Sequence, residues 1–186
     1  MRKKSALPTV STSKQLVFCA VFATLCCVGS ILIRVPLPMG YFNVGDVFVL
    51  LAAWLIGPFY GFASAAIGSA LADILGGYAV YAPATFFIKG VDAVVAYLVF
   101  LLWKKCIHKE KLDFIPRLFS AFLGETVMVV GYFFYDGILG GFGNAATAVI
   151  GNCMQGIFCL FGAVLLFSFL YPIKSVRKLF PYCMIK

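Results

Sequence analysis

Nine side chains able to bind or ionise sit within or beside stretches otherwise apolar enough to cross a membrane: Asn43, Asp46, Asp73, Lys89, Asp92, Glu125, Tyr132, Asn152 and Gln155. A charge near a bilayer centre costs about 2.5–3.5 kcal/mol on insertion scales, so such groups face a bundle interior, a partner or a polar cavity. Carboxylates, amides, one ammonium and a phenol are the chemistry of ligand binding by hydrogen bonds and charge. Covalent chemistry fits poorly. The one histidine, His108, falls in a basic loop, so neither a His-based metal site nor a nucleophile–His pair is available inside the membrane. Gly68-Ser69 lacks the partners of an intramembrane serine protease, and no G-x-x-x-x-G-K-[ST] phosphate loop is present. The chain is therefore not read as an enzyme, and no cofactor or metal is assigned to it.

The elements that hold these groups are set by composition. The 186 residues are 63% hydrophobic and 12% charged, with mean hydropathy +1.02. A soluble domain of this size needs more polar surface, so this is an integral membrane protein. The net charge of +8 comes from three basic clusters, Arg2/Lys3/Lys4/Lys14, Lys104/Lys105/Lys109/Lys111/Arg117 and Lys174/Arg177/Lys178/Lys186. Such clusters mark cytoplasmic flanks of spans rather than a nucleic-acid surface. The seven cysteines form no C-x-x-C pair and read as small packing residues.

Residues 1–13 are expected as a flexible cytoplasmic lead, 14–171 as a six-helix membrane domain and 172–186 as a basic cytoplasmic tail. Span 1 covers about Lys14 to Ile33, a retained span rather than a signal peptide. Cys19, Ala23 and Cys27, beside Ala20 and Thr24, give it a flat face for a neighbouring or partner helix. Pro36, Pro38, Gly40 and Gly45 make residues 34–45 a loop at the mouth of the bundle. Asp46 follows as a helix N-cap candidate.

Val47 to Ala72 carries no charge and by periodicity alone allows one long helix. Gly57-Pro58 argues for a break, and splitting the run there, into spans at about 46–57 and 60–75, puts all three basic clusters on one side. The second of these spans has stripes of small residues, Gly61/Ala65/Ser69 and Ser64/Gly68/Ala72/Gly76. Span 4 (about 84–103) sets Lys89 and Asp92 at i, i+3, close enough to pair, with Asp73 a further partner. Span 5 (about 118–135) carries Glu125 and Tyr132. A mobile outer loop is expected over 136–144, and span 6 (about 145–171) carries Asn152 and Gln155. The fold class is all-α, with both termini cytoplasmic.

At 1.5 Å per residue the polar groups fall in the outer half, with Glu125 and Gln155 near the middle. A proton or ion relay needs polar steps through the whole thickness, so the pattern fits a pocket open outside and closed below. Trp54, Tyr41, Phe42, Tyr78, Tyr81 and Tyr132 suit a flat organic ligand, although interfacial belts explain some of these rings equally well. Trp54 and Tyr132 are weighted toward ligand.

The ordered set G-Y-F-N-V-G-D, L-I-G-P-x-x-G, I-G-S-A-x-A-D-I-x-x-G-Y, A-P-x-T-F-x-I-K-G, G-E-T-x-M-V-x-G-Y and G-N-x-x-Q-G resembles the substrate-binding S component of energy-coupling-factor (ECF) vitamin transporters. It is most similar to the branch linked to pyridoxine and hydroxymethylpyrimidine, often labelled riboflavin-transporter-like. The resemblance implies vitamin capture at a bacterial cell membrane. It also implies docking on a transmembrane coupling subunit with two ATPase subunits, which spend the ATP. The corresponding pocket positions are Tyr41, Asn43, Lys89, Glu125, Tyr132, Asn152 and Gln155. The family's helix 1 docking face, commonly Ala-x-x-x-Ala, reads here as Cys19-x-x-x-Ala23 and Ala20-x-x-x-Thr24. Two other readings stand beside this one: a membrane scaffold that binds no ligand, and a proton-coupled carrier acting alone with Glu125 and Asp92 as relay groups.

Overall fold

The computed structural model describes residues 11–36, 41–106 and 114–180. The expected lead over residues 1–10, the loop tip at Pro38 and Gly40, His108 and the basic Lys109, Lys111 and Lys186 lie outside the described residues.

Long apolar segments become helices because lipid offers no partner to a backbone N–H or C=O. The order is α1 (Thr12–Leu32), β1 (Arg34–Pro36), β2 (Tyr41–Asn43), α2 (Gly45–Leu75), α3 (Ala82–Cys106), α4 (Phe114–Gly140), α5 (Phe142–Leu170) and a short α6 (Lys174–Leu179). Helices α1 to α5 are each long and apolar enough to cross a membrane. Large apolar side chains such as Phe59, Leu71, Phe87, Leu102, Phe122, Ile150 and Phe169 are exposed on the outside of the bundle, where lipid tails cover them.

Five helices make six passes because α2 reverses. Gly57 has φ 83° and ψ −178°, a conformation essentially reserved for glycine, and Pro58 has no N–H to continue the ladder. The two arms then lie against each other. A Cβ at Gly61 would sit only 3.1 Å from the Ala53 Cα, two residues that a straight helix would hold two turns apart. The second arm runs alongside α1: Cys19 donates to the Tyr60 carbonyl, Gly68 meets Ala23, and Arg34 donates to the Gly76 carbonyl at 3.0 Å. The expected break and the even number of crossings are what the chain adopts.

Three expectations need correction. The outer segment 136–144 is not a loop: α4 continues to Gly140 and α5 begins at Phe142, with Gly141 (φ 85°) making the whole turn. Asn144 Nδ2 donates to the Gly140 carbonyl at 2.8 Å, satisfying the helix end that the turn leaves open. Residues 34–36 and 41–43 also gain regular structure, because β1 and β2 pair antiparallel with Arg34 opposite Asn43. Finally, Arg117 is not a solvated flank. Because α4 starts at Phe114 rather than Leu118, Arg117 falls inside the bundle, 2% exposed, with its guanidinium 3.7 Å from the Phe167 ring centroid and 4.7 Å from that of Phe100.

Candidate functional site

The β hairpin, the top of α2 and the outer ends of α3, α4 and α5 converge on one polar cavity of about 40 Å³. Its walls include Tyr41, Asn43, Lys89, Tyr132, Asn152 and Gln155, six of the eight expected binding residues, brought together from four elements. Ser30, Ser69, Asp73, Tyr81, Thr85 and Asp136 complete the lining.

The floor is a buried hydrogen-bonded network. Asp46 accepts from Lys89 Nζ at 2.5 Å and from Gln155 Nε2 at 2.6 Å. Gln155 Oε1 in turn accepts from the Asn43 backbone N–H at 2.8 Å. Asn43 Oδ1 accepts from the Gly45 N–H at 2.8 Å and from Ser30 Oγ at 3.1 Å. This ties α1, the hairpin, α2, α3 and α5 to one another through partners far apart in sequence. It also corrects the reading of Asp46, which makes no capping hydrogen bond; its carboxylate turns inward to Lys89. The side-chain oxygen that accepts from the first-turn Gly45 N–H belongs to Asn43. Lys89 pairs with Asp46 rather than with Asp92 or Asp73.

The walls carry the aromatic groups. Tyr41 OH donates to Asp73 Oδ1 at 2.6 Å, and the Arg34 guanidinium lies 4.2 Å from the Tyr41 ring centroid. Burial, and after it the Asp73 charge, pushes the Tyr41 phenol above its ordinary pKa, so it remains a protonated donor. Tyr132 shares a 2.9 Å hydrogen bond with Thr85, and its ring centroid is 5.4 Å from Lys89 Nζ.

Two expected binding residues stand elsewhere. Trp54 is fully buried in the inner half, with Nε1 donating to Ser120 Oγ at 3.1 Å and its ring edge-on to Phe167, so it packs the core below the cavity. Glu125 does not line the cavity. It lies between α4 and α5, against Gly156, close enough to Asp46, Asp92 and Lys89 to feel their charges.

Ser69, Asp73, Thr85 and Asp136 were missing from the expected site. In the sequence Asp73 and Asp136 are outer-half charges that fit an ion-pair candidate and a loop residue equally well. Ser69 and Thr85 stand in the quoted I-G-S-A-x-A-D and A-P-x-T-F runs, the one signal the sequence carries for them, since small hydroxyl side chains serve helix packing equally well.

On α1 the expected partner face divides. Cys19 and Ala23 pack against the second arm of α2, Cys27 is half-buried, and Ala20 and Thr24 are exposed, with Thr24 Oγ1 donating to the Ala20 carbonyl.

Residues 10–172 match the family model of the ECF-type riboflavin transporter, S component. The chain belongs to this family. It is also similar to an uncharacterized protein in the gap 3′ region of Pyrococcus woesei, 34% identical over 132 residues, which is 70% of this chain and 83% of that protein. Membership makes the chain a multi-pass membrane protein and a vitamin-capture S component, whose family works with an ECF transmembrane subunit and ATPase subunits. The cavity opens among the outer ends of the helices, while Trp54, Phe100, Arg117 and Phe167 fill the inner half beneath it.

Proposed function

We propose that this chain captures a small heteroaromatic vitamin or vitamin precursor from outside the cell and delivers it to an ECF coupling module for import. Pyridoxine or hydroxymethylpyrimidine is the favoured cargo, and riboflavin is the alternative that the family's description supports. The observation that carries this reading is the polar and aromatic cavity confined to one half of the bundle. About 40 Å³ admits only a few waters before the walls move, so a compact single-ring ligand asks less expansion of the site than a three-ring one. The hairpin and the 76–81 turn sit over the cavity and are the segments that would move to admit ligand. Tyr41, Asn43, Lys89, Tyr132, Asn152 and Gln155 are the contacting residues, and Trp54 and Glu125 act through packing and charge beneath them.

Trp54, Phe100 and Phe167 fill the inner half beneath the cavity, so the protein itself must reorient to release cargo. This chain needs no cofactor of its own; ATP is hydrolysed by the partner ATPases. The exposed Ala20 and Thr24 stripe of α1 is the docking face, with Cys19, Ala23 and Cys27 holding that helix to its neighbour. Uptake of radiolabelled pyridoxine and riboflavin into vesicles, with and without a co-reconstituted ECF module, tests this. Uptake that requires both the module and internal ATP supports it, and uptake by this chain alone driven by a proton gradient overturns it.

A further inference from the structure

Resting on the capture reading above, we propose that Asp73 and Asp136 anchor the ligand through its hydrogen-bond donors or positive charge, and that the site therefore excludes phosphorylated and carboxylated forms. Both side chains line the cavity and are almost wholly buried, 3% and 2% exposed. Each keeps one oxygen without a hydrogen-bond partner: Asp73 Oδ2, whose other oxygen is taken by Tyr41, and Asp136 Oδ1. Ser69 Oγ, also lining the cavity and 4% exposed, is unpartnered as well. Buried polar atoms are nearly always satisfied, and an unmet acceptor facing a cavity wants a donor.

The cation that lines the cavity is already paired. Lys89, the one cationic side chain among the described lining residues, is held by Asp46 on the cavity floor. Arg34 is not among the described lining residues; it donates to the Gly76 carbonyl and lies against the Tyr41 ring, with Tyr78 farther off, behind the cavity wall. The cavity thus offers two carboxylates against a neutralised lysine. A ligand bearing N–H, NH₂, O–H or a cationic nitrogen completes it, whereas a phosphate or carboxylate would meet like charge with no unpaired cation among the described lining residues to balance it.

The test is calorimetric titration of the purified full-length protein with matched ligands: pyridoxine and pyridoxamine against pyridoxal 5′-phosphate and 4-pyridoxic acid, and riboflavin against its 5′-phosphate. Wild type is expected to bind the unphosphorylated, uncarboxylated member of a pair at least about tenfold more tightly. Asp73→Asn and Asp136→Asn should each narrow that preference about tenfold, with ligand-free melting unchanged within a few degrees as the folding control. Equal or tighter binding of the anionic members, or variants that melt normally and keep the wild-type preference, overturns the assignment while leaving the capture reading intact. Binding of none of the six, nor of hydroxymethylpyrimidine titrated beside them, overturns both.

Discussion

Lys89 and Asp46 form the ion pair at the cavity floor, with Nζ 2.5 Å from Oδ1 and side chains 3% and 1% exposed, although 43 positions separate them. The pair joins the outer third of α3 to the first turn of α2, and Gln155 extends it to α5. Losing either partner leaves a buried charge uncompensated. Lys89→Met is expected to destabilise the protein by about 3 kcal/mol or more, and adding Asp46→Asn should recover a good part of that. Thermal melting of the two single variants and the double variant in one detergent checks it. Additive losses would mean that the two residues are not coupled.

The reversal of α2 needs a backbone at Gly57 that other residues rarely adopt. Gly57→Ala places a Cβ on a backbone with φ 83° and ψ −178°, at about 1–3 kcal/mol. Gly143 provides the contrast: it lies within α5 with open space around its Cα, so Gly143→Ala should be neutral or stabilising by up to about 1 kcal/mol. Comparison of the two melting temperatures decides between a strained turn and an ordinary helical glycine.

Six passes place the hairpin, the 76–81 turn and the Gly141 turn on one side. Single cysteines at Val35, Val80 and Leu139, each exposed, should react with an impermeant maleimide from that same side of sealed vesicles. If α2 crossed only once, Val35 and Val80 would label from opposite sides.

Trp54→Phe removes the donor to Ser120 and some of the packing against Phe167. The expected loss is about 1–3 kcal/mol of stability, with the ligand affinity of the folded fraction unchanged. A large affinity loss at constant melting temperature would return Trp54 to the ligand site.

Much of this architecture was legible because its signals are local or additive. Apolar length gave the spans, Gly57-Pro58 marked the reversal, and the basic clusters decided between one crossing and two. The cavity walls were partly legible, since Asn43, Lys89, Tyr132, Asn152 and Gln155 are polar groups that lipid would penalise. What failed depended on partners distant in sequence. Asp46 has the residue type and position of a helix cap, and only the folded chain reveals Lys89 and Gln155 waiting 43 and 109 positions away. The glycines after Asp136 suggested a loop, yet one positive φ at Gly141 suffices to turn the chain, and the other residues stay helical. Trp54 misled because an aromatic amphipathic ring serves a buried core as well as a ligand face; its partner, Ser120, lies on another helix.

The most direct test of the central claim is mass spectrometry of small molecules released from the detergent-purified protein, followed by titration of whatever is found into wild type and Asn152→Ala. The account predicts a stoichiometric heteroaromatic vitamin or precursor whose affinity falls at least about tenfold when Asn152, a cavity-lining side chain, is truncated. A protein that releases nothing, and then ignores a panel of B-vitamins and their precursors, would contradict it and favour a membrane scaffold.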